Sequence, residues 1–254
     1  MTTASARGSR RRLRAGALLV GGVAAALWLA SAGNAAAPTR FADCRTGLGG
    51  ASVGLSGAAE QLFIERGSAP ACHVRVGSYP ADTHYARLRW TNVDIRHGEE
   101  VWLYGTFLLP ADFYAAQEGY VRLAWLENYN LDRAHPRRLG LVVYGGDNRA
   151  RIVRQRQGHE ETVILRLRRR LPVGQPFTLE LRFRLSQADG KALSQIYLDG
   201  RRVGSTRRAN LTAGAHRTAR FTRVGFGLDG AAGQDTRTLE LWMRALGVAP
   251  TRPS

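Results

Sequence analysis

The sequence predicts an all-β protein, an antiparallel β-sandwich, and three observations support this prediction. Residues 177–186 alternate strictly between apolar and polar side chains, which is the period of a half-buried strand. Short runs of the same kind recur at regular spacing after residue 72, separated by Gly, Pro, Asp and Asn. Asp199-Gly200, directly after Ile196-Tyr197-Leu198, is a hairpin signal. Many short strands in one chain are typical of a sandwich.

The N-terminal segment has the pattern of a secretory signal peptide, which we place at residues 1–35. Residues 7–14 are arginine-rich and contain no acid, and an apolar run follows from Ala15 to Ala32. Small residues then offer cleavage after Ala32 or after Ala35. The apolar run is close to the length of a membrane span, so an uncleaved anchor stays open and is the only membrane contact we expect. The remainder is therefore expected to be secreted or at the cell surface.

Residues 36–72 are predicted to form an N-terminal arm tied by Cys44 and Cys72. These are the two cysteines of the chain, and an even number in an exported protein favours one disulfide. Two free thiols are the alternative. Neither cysteine has a CxxC partner, which argues against zinc or redox roles. Within the arm, the Gly-rich residues 47–59 predict a flexible loop.

The sandwich itself is predicted to occupy residues 73–248, with no internal repeat and no second domain boundary. The one helical candidate is 111–117, and the tail 249–254 is expected to be frayed. Asp189-Gly190 and Asp229-Gly230 indicate turns. Strands are predicted at 73–77, 83–91, 100–109, 119–127, 138–144, 150–156, 161–168, 177–186, 193–199, 220–228 and 237–246.

Positive charge dominates the sequence and is carried almost entirely by arginine. There are 37 Lys and Arg against 20 Asp and Glu, a formal net charge of +17. Guanidinium groups suit planar or bidentate anions, although a coding bias toward arginine is an equal explanation. Export argues against nucleic acid as a partner and leaves anionic glycans, cell-wall polymers and lipid headgroups. Basic clusters at 149–156, 166–170 and 201–208 would attract polyanions if they converge on one sheet.

Two stretches resemble concanavalin A-like proteins. Residues 101–113, Val-Trp-Leu-Tyr-Gly-Thr-Phe-Leu-Leu-Pro-Ala-Asp-Phe, resemble a segment of heparinase-type polysaccharide lyases. Residues 171–204 resemble the laminin-G pattern, in which a Pro-x-Gly-x-x-Phe turn precedes a Tyr-Leu-Asp-Gly-Arg hairpin; Phe177 stands where that family usually has Trp. The resemblance runs from about residue 73 to residue 246 and implies a concanavalin A-like jelly roll. That fold hosts lectins, glucanases, lyases and adhesion modules, so it does not fix an activity.

The carboxylates argue against one of those activities. Retaining glucanases of this superfamily use a Glu-x-Asp-x-Glu strand, whose spacing puts the carboxylates on one face. The sequence lacks that motif. Its pairs Glu99-Glu100 and Glu160-Glu161 are adjacent, so the two side chains of each pair point to opposite faces of a strand. A glycosidase of that type is therefore disfavoured.

Other residues carry parts of a lyase site. A lyase needs a cation for the uronate carboxylate and a base for the adjacent proton. Strand 83–91 places Tyr85, Arg87 and Arg89 on one face and partly resembles the Arg-x-Glu-x-Arg strand of alginate lyases. Gln195-Ile196-Tyr197 resembles their Gln-Ile-His strand, with Tyr197 in place of the basic His. Tyr85, Arg87, Gln195 and Tyr197 are therefore the candidate catalytic residues; the alternatives are solvated arginines and a non-catalytic hairpin.

Residues 120–130 have the composition of a sugar-binding strand. Aromatic rings stack on sugar faces, and Asn, Glu and Arg bond hydroxyls. Simple alternation puts Trp125, Glu127 and Tyr129 on one face and Arg122 on the other. Together with Arg89 these four are the candidate substrate-binding residues. The alternative for Trp125 is a place in the core.

No cofactor and no metal site is expected. The histidines are scattered and match no metal-ligand spacing. Calcium is the one ion considered, because several loop residues carry hard oxygen ligands that are also ordinary turn residues, namely Asp132, Asp147, Asn148 and Asp229.

The sequence supports three hypotheses for the function. The first is an exported carbohydrate-binding sandwich that recognises a polysaccharide, by its charge an acidic one. The second is a polysaccharide lyase that cleaves a uronic-acid polymer by β-elimination, and the third is a non-catalytic cell-surface interaction module. Exposed aromatic and arginine side chains on one face favour the first. The second also needs a His or Tyr beside them, and the third predicts a flat apolar patch.

Overall fold

Strands make up the regular secondary structure of the described residues. The computed structural model describes residues 39–56, 61–64, 72–76, 84–113, 120–128, 136–144, 149–156, 160–212, 220–231 and 239–253. All of them belong to one unit, residues 34–254. The predicted signal peptide, its anchor alternative, most of the helical candidate, Tyr129, and the calcium candidates Asp132, Asp147 and Asn148 lie outside the described residues.

Fifteen strands are present in these ranges, and their bounds follow chain order. They are β1 (Arg40–Ala42), β2 (Ser52–Ser56), β3 (Gln61–Ile64), β4 (Cys72–Val76), β5 (His84–Arg96), β6 (Glu100–Leu108), β7 (Tyr120–Glu127), β8 (Pro136–Tyr144), β9 (Arg149–Arg156), β10 (Glu161–Arg166), β11 (Pro176–Arg184), β12 (Leu193–Leu198), β13 (Arg201–Thr206), β14 (Arg220–Ala231) and β15 (Leu239–Ala249).

The strands form two antiparallel sheets that pack on one apolar core. The eight-stranded sheet has the order β13-β12-β11-β6-β15-β4-β3, and β1 also pairs with β15. The seven-stranded sheet has the order β10-β9-β8-β7-β14-β5-β2. Alternate residues of both sheets fill a shared core, where the Phe107 ring of β6 lies 6.4 Å from the Phe226 ring of β14. The predicted antiparallel sandwich is thus confirmed.

The hairpin between β12 and β13 forms where the sequence predicts it. Asp199 and Gly200 both have positive φ, 49° and 74°, as a two-residue type I′ turn requires. The Asp199 carboxylate also accepts a hydrogen bond of 2.8 Å from the Thr178 amide of β11. The turn is therefore stabilised by its own backbone conformation and by a hydrogen bond to β11.

A disulfide joins Cys44 and Cys72, as predicted, with the two Cα atoms 5.4 Å apart. The pairing of β15 explains the geometry. Both β1 and β4 pair with β15, Ala42 opposite Leu246 and Cys72 opposite Met243. The bond therefore links the ends of two strands that pair with the same central strand.

The expectation of a flexible loop over 47–59 is wrong for part of that range. Ser52–Ser56 form β2, which pairs with β5 at the edge of the seven-stranded sheet. An edge strand gains its order from backbone hydrogen bonds and needs no burial pattern. Val53 and Leu55 alternate with Ser and Gly but are 44% and 47% exposed, so burial contributes little to the order of this strand.

The turn predicted at Asp229-Gly230 is also wrong, because both residues lie inside β14. A bulge between Asp229 and Ala231 in the pairing with β5 accommodates them. The Asp229 side chain is buried and bound by arginines, so its position follows from long-range contacts. In the part of the chain that is described, no helix is long and apolar enough to cross a membrane.

Candidate functional site

The outer face of the seven-stranded sheet, turned away from the core, is built from charged and aromatic side chains. We call it the polar face. β5 shows how it arises: Ala86, Leu88 and Trp90 are buried in the core, whereas Arg87 and Arg89 alternate with them and point outward. The residues of the polar face are Tyr85, Arg87, Arg89, Tyr120, Arg122, Trp125, Glu127, Arg138, Tyr144, Arg151, Glu161, Arg223 and Asp229.

A bulge in β7 brings Arg122 onto this face. The register of β7 against β8 shifts between Arg122 and Ala124, so that one additional residue is inserted and the alternation changes phase. Arg122 and Trp125 consequently share the polar face, although simple alternation placed them on opposite faces. Sequence pattern alone does not reveal a bulge, which explains the error.

Trp125 lies on the polar face but has no exposed surface, being 0% exposed. Its ring packs over β14 at Gly225, where a Cβ atom would overlap the indole, and Gly140 leaves similar space beside its Cβ. The indole belongs neither to the inter-sheet core cluster nor to an open platform. The ring therefore cannot stack on a sugar in this structure, and it supports the residues around it.

Asp229 is the centre of a buried ion-pair network. Its carboxylate accepts hydrogen bonds from Arg87 and, at 3.1 Å, from Arg122, and Arg138 lies 3.7 Å away. Arg122 also pairs with Glu161. Burial acts to lower the pKa of Arg122, but Glu161 and Asp229 outweigh it and raise that pKa. These ion pairs hold the arginine side chains in place around the Asp229 carboxylate.

Arg89 differs from its neighbours because no carboxylate is paired with it among the described residues. Burial is the main cause that lowers the pKa of Arg89, and repulsion from Arg87 and Arg223 lowers it further. Glu127 acts in the opposite direction. Glu127 is fully buried and pairs with Arg138 at 3.1 Å, and its Oε2 atom has no hydrogen-bond partner in the described structure. A half-buried cation is thus held among other cations.

Tyrosines line the same face. The Arg87 guanidinium lies 3.9 Å from the Tyr85 ring centroid, and Arg151 lies 4.0 Å from that of Tyr144. Burial raises the pKa of Tyr144, and nearby Glu161 raises it further. Both effects favour the protonated phenol of Tyr144. Tyr85 is half-buried beside the arginines of β5.

Gln195 and Tyr197, the other predicted catalytic residues, lie on the outer face of the eight-stranded sheet. Tyr197 donates a 3.0 Å hydrogen bond to Gln195, which also accepts from Arg182 at 3.2 Å. Arg182 forms two 2.8 Å bonds to Glu100. The two sheets turn their outer faces in opposite directions, so Gln195 and Tyr197 cannot act at one site with Tyr85 and Arg87.

The C-terminal tail covers part of that second face. Arg252 donates to Glu180 at 2.7 Å and to the Gly200 carbonyl at 3.0 Å, and its guanidinium lies 4.7 Å from the Tyr197 ring centroid. The expectation of a frayed tail is therefore wrong for Arg252. Charge and aromatic contacts, which a sequence pattern does not reveal, hold it in place.

The structure thus brings six predicted site residues together: Tyr85, Arg87, Arg89, Arg122, Trp125 and Glu127. Sequence reasoning missed Arg138, Tyr144, Glu161 and Arg223, and considered Asp229 only for a turn or calcium. Their outward positions in alternating strands were the available signal. Within the described ranges, no three His, Cys, Asp or Glu side chains are grouped closely enough to hold a metal ion.

Comparison with solved structures finds the same fold in polysaccharide lyases. An endo-β-1,4-glucuronan lyase from the fungus Trichoderma reesei superposes with a TM-score of 0.63 at 12% identity, covering 83% of this chain and 94% of that one. An alginate lyase gives a TM-score of 0.55 at 12% identity, covering 85% and 98%. No protein-family model and no curated protein sequence matches the chain. The likeness confirms the predicted fold, an antiparallel β-sandwich of the kind found in these lyases.

Proposed function

We propose that this protein binds an acidic polysaccharide, a polymer of uronic acids, through the polar face. The observation that carries the proposal is Arg89. It is a half-buried guanidinium beside Arg87 and Arg223, without a carboxylate partner among the described residues. An anion placed there would relieve the repulsion among the three cations and accept charge-assisted hydrogen bonds.

The surroundings of Arg89 favour a carboxylate on an extended polymer. Arg87 and Arg122 are paired with Asp229 and Glu161, so they act as a rigid support, and Arg89, which has no carboxylate partner among the described residues, is available to a ligand. A guanidinium binds a planar carboxylate in bidentate geometry. The two lyases of the same fold act on glucuronan and alginate, which are polyuronates, and this supports the choice of ligand class.

The disulfide supports a place outside the cytoplasm, because such bonds persist in oxidising compartments. A non-catalytic interaction module is less well supported, since charged and aromatic side chains, and not an apolar patch, form the polar face. We therefore propose a secreted or cell-surface protein.

A binding experiment with a matched control tests this function. Calorimetry should detect binding of alginate or glucuronan oligosaccharides and no binding of a neutral β-1,4-glucan oligosaccharide. Added salt should weaken the binding. Arg89→Gln should weaken affinity roughly tenfold or more, the loss of one charge-assisted hydrogen bond. Arg40→Gln removes the same charge at an exposed position of the eight-stranded sheet and should leave affinity unchanged. Equal binding of neutral and acidic oligosaccharides, or equal effects of both variants, would refute the proposal.

A second candidate function, β-elimination, is supported by Tyr85, a half-buried phenol on the polar face next to Arg87. In that reaction a base removes the proton at C5 of the uronate, the C4–O bond breaks, a C4–C5 double bond forms, and the departing oxygen is protonated. Arg89 would hold the carboxylate, and Tyr85 would move the proton. Unsaturated uronate, detected by its ultraviolet absorbance, should form with the unaltered chain and be lost in Tyr85→Phe. Binding without product would leave only the first function.

A further inference from the structure

A cavity of about 400 Å³ lies at one end of the sandwich, between the turn that joins β5 to β6 and the connection from β11 to β12. The residues that line it and matter here are His97, Gly98, Arg184, Ser186, Gly190 and Lys191. None of them belongs to the polar face, so a ligand bound in this cavity would be independent of the proposed function.

Three basic side chains line this cavity, His97, Arg184 and Lys191, and no acid is among its lining residues. The acid that lies opposite Arg184 in the strand pairing already forms an ion pair with another arginine. Glu100 lies opposite Arg184 in the pairing of β6 with β11, but both its carboxylate oxygens accept hydrogen bonds from Arg182 at 2.8 Å. The charges of Arg184 and Lys191 are therefore not cancelled within the described structure.

The neighbouring Glu99 does not cancel them either. Its carboxylate accepts a 2.8 Å hydrogen bond from the Arg96 amide, and its side chain is buried. Burial raises the pKa of Glu99, so this position resists carrying a negative charge. Glu99 and Glu100 are thus engaged by other groups, and Asp189, next to Gly190, accepts a 2.6 Å hydrogen bond from the Ala209 amide.

Backbone hydrogen bonds hold the cavity in shape. The Gly98 amide donates to Leu185 at 2.8 Å, the Leu185 amide donates to Glu99 at 3.0 Å, and the Gly190 amide donates to Arg207 at 2.8 Å. Nε of Arg184 donates to the Lys191 carbonyl at 2.9 Å, which places the guanidinium beside this lysine. The Arg184 guanidinium is thus held at the Lys191 backbone before any ligand binds.

We propose that this cavity binds a doubly charged tetrahedral oxyanion, a sulfate or phosphate group. Arg184 and Lys191 together carry the two positive charges that such a group requires, one as a planar guanidinium and one as a compact ammonium. The imidazole of His97 offers a further donor. The cavity is larger than the ion alone, so the group can belong to a larger molecule such as a sulfated or phosphorylated sugar.

Titration of the full-length, ¹⁵N-labelled chain with inorganic sulfate, inorganic phosphate and chloride at constant ionic strength tests the proposal. The amide signals of Gly98 and Gly190 should shift and saturate with sulfate or phosphate, with a dissociation constant on the order of 1 mM. They should not saturate with chloride. The ion that binds more tightly identifies the chemical source of the group.

Variants make the test specific. Arg184→Gln and Lys191→Gln should each weaken the binding about tenfold, and Arg169→Gln, the same charge change at an exposed residue outside the cavity, should not. Lys191 is exposed and bonds Arg184 through its backbone, so Lys191→Gln remains informative if Arg184→Gln fails to fold. Equal weakening in all three variants, or saturation by chloride alone, would overturn the proposal.

Discussion

Asp229→Asn should destabilise the protein strongly, because this carboxylate lies between two buried guanidinium groups. The side chains of Asp229, Arg87 and Arg122 are 4%, 6% and 2% exposed. The substitution preserves shape and removes the charge. Arg122 keeps Glu161, but Arg87 then has no carboxylate partner among the described residues. Leaving one member of a buried pair uncompensated costs about 3–5 kcal/mol.

Equilibrium unfolding in urea, followed by tryptophan fluorescence, measures this cost. A thermal scan gives a second measure. For a chain of this size, 1 kcal/mol of unfolding free energy corresponds to about 2–4 °C, so the melting temperature should fall by about 6–20 °C. Asp94→Asn is the matched control, since Asp94 is 39% exposed and pairs with exposed Arg96 and Arg220. It should produce no measurable change.

The network also predicts non-additivity. Arg87→Met alone leaves Asp229 with one fewer cation, and the double variant Arg87→Met/Asp229→Asn should lose less stability than the sum of the two single variants. If Asp229→Asn shifts the midpoint no more than Asp94→Asn, or if the single effects simply add, the buried network does not stabilise the polar face.

Three further predictions concern other parts of the chain. Replacing Cys44 and Cys72 by Ala should lower the unfolding free energy by about 3–4 kcal/mol, because the bond closes a loop with a sequence separation of 28, and an unchanged urea midpoint would contradict this. Gly225→Ala should cost about 1–3 kcal/mol by calorimetry, since the new Cβ overlaps the Trp125 ring; a neutral effect would show that the ring can move. The pKa of Glu99 is raised by burial, so the folded state loses stability as pH rises above the unfolded pKa of about 4.3. Glu99→Gln should therefore be more stable than the unaltered chain at pH 7 and equal to it in acid below that pKa, as urea midpoints against pH would show; a less stable variant at pH 7 would contradict the reasoning.

Local patterns predicted the elements whose order is local. The hairpin at Asp199-Gly200 and the alternation of Arg87 and Arg89 with Leu88 depend on neighbouring residues, and both could be derived from the sequence. The disulfide was predicted from the even number of cysteines and from the expected export of the chain. The strand Ser52–Ser56 could not be derived, because its order comes from pairing with β5, some thirty residues further along the chain.

The candidate site was predictable only in its parts. Strand periodicity placed Tyr85, Arg87 and Arg89 on one face, but the β7 bulge and the partners of Asp229 arise from contacts between distant strands. The grouping of Gln195 and Tyr197 with those residues rested on motif resemblance. Which sheet a strand joins is decided by the topology, and that is not encoded in a short motif.

The outer faces of the two sheets are separated by the shared core, so a substitution on one face does not reach the side-chain contacts of the other. Trp102, Tyr197 and Arg252 contact one another on one exterior, while the Asp229 network occupies the opposite one. A substitution that alters either exterior leaves the bonds of the other intact, provided that the Leu and Phe interior is kept. One side of this scaffold can therefore be altered while the arrangement of side chains on the other is kept.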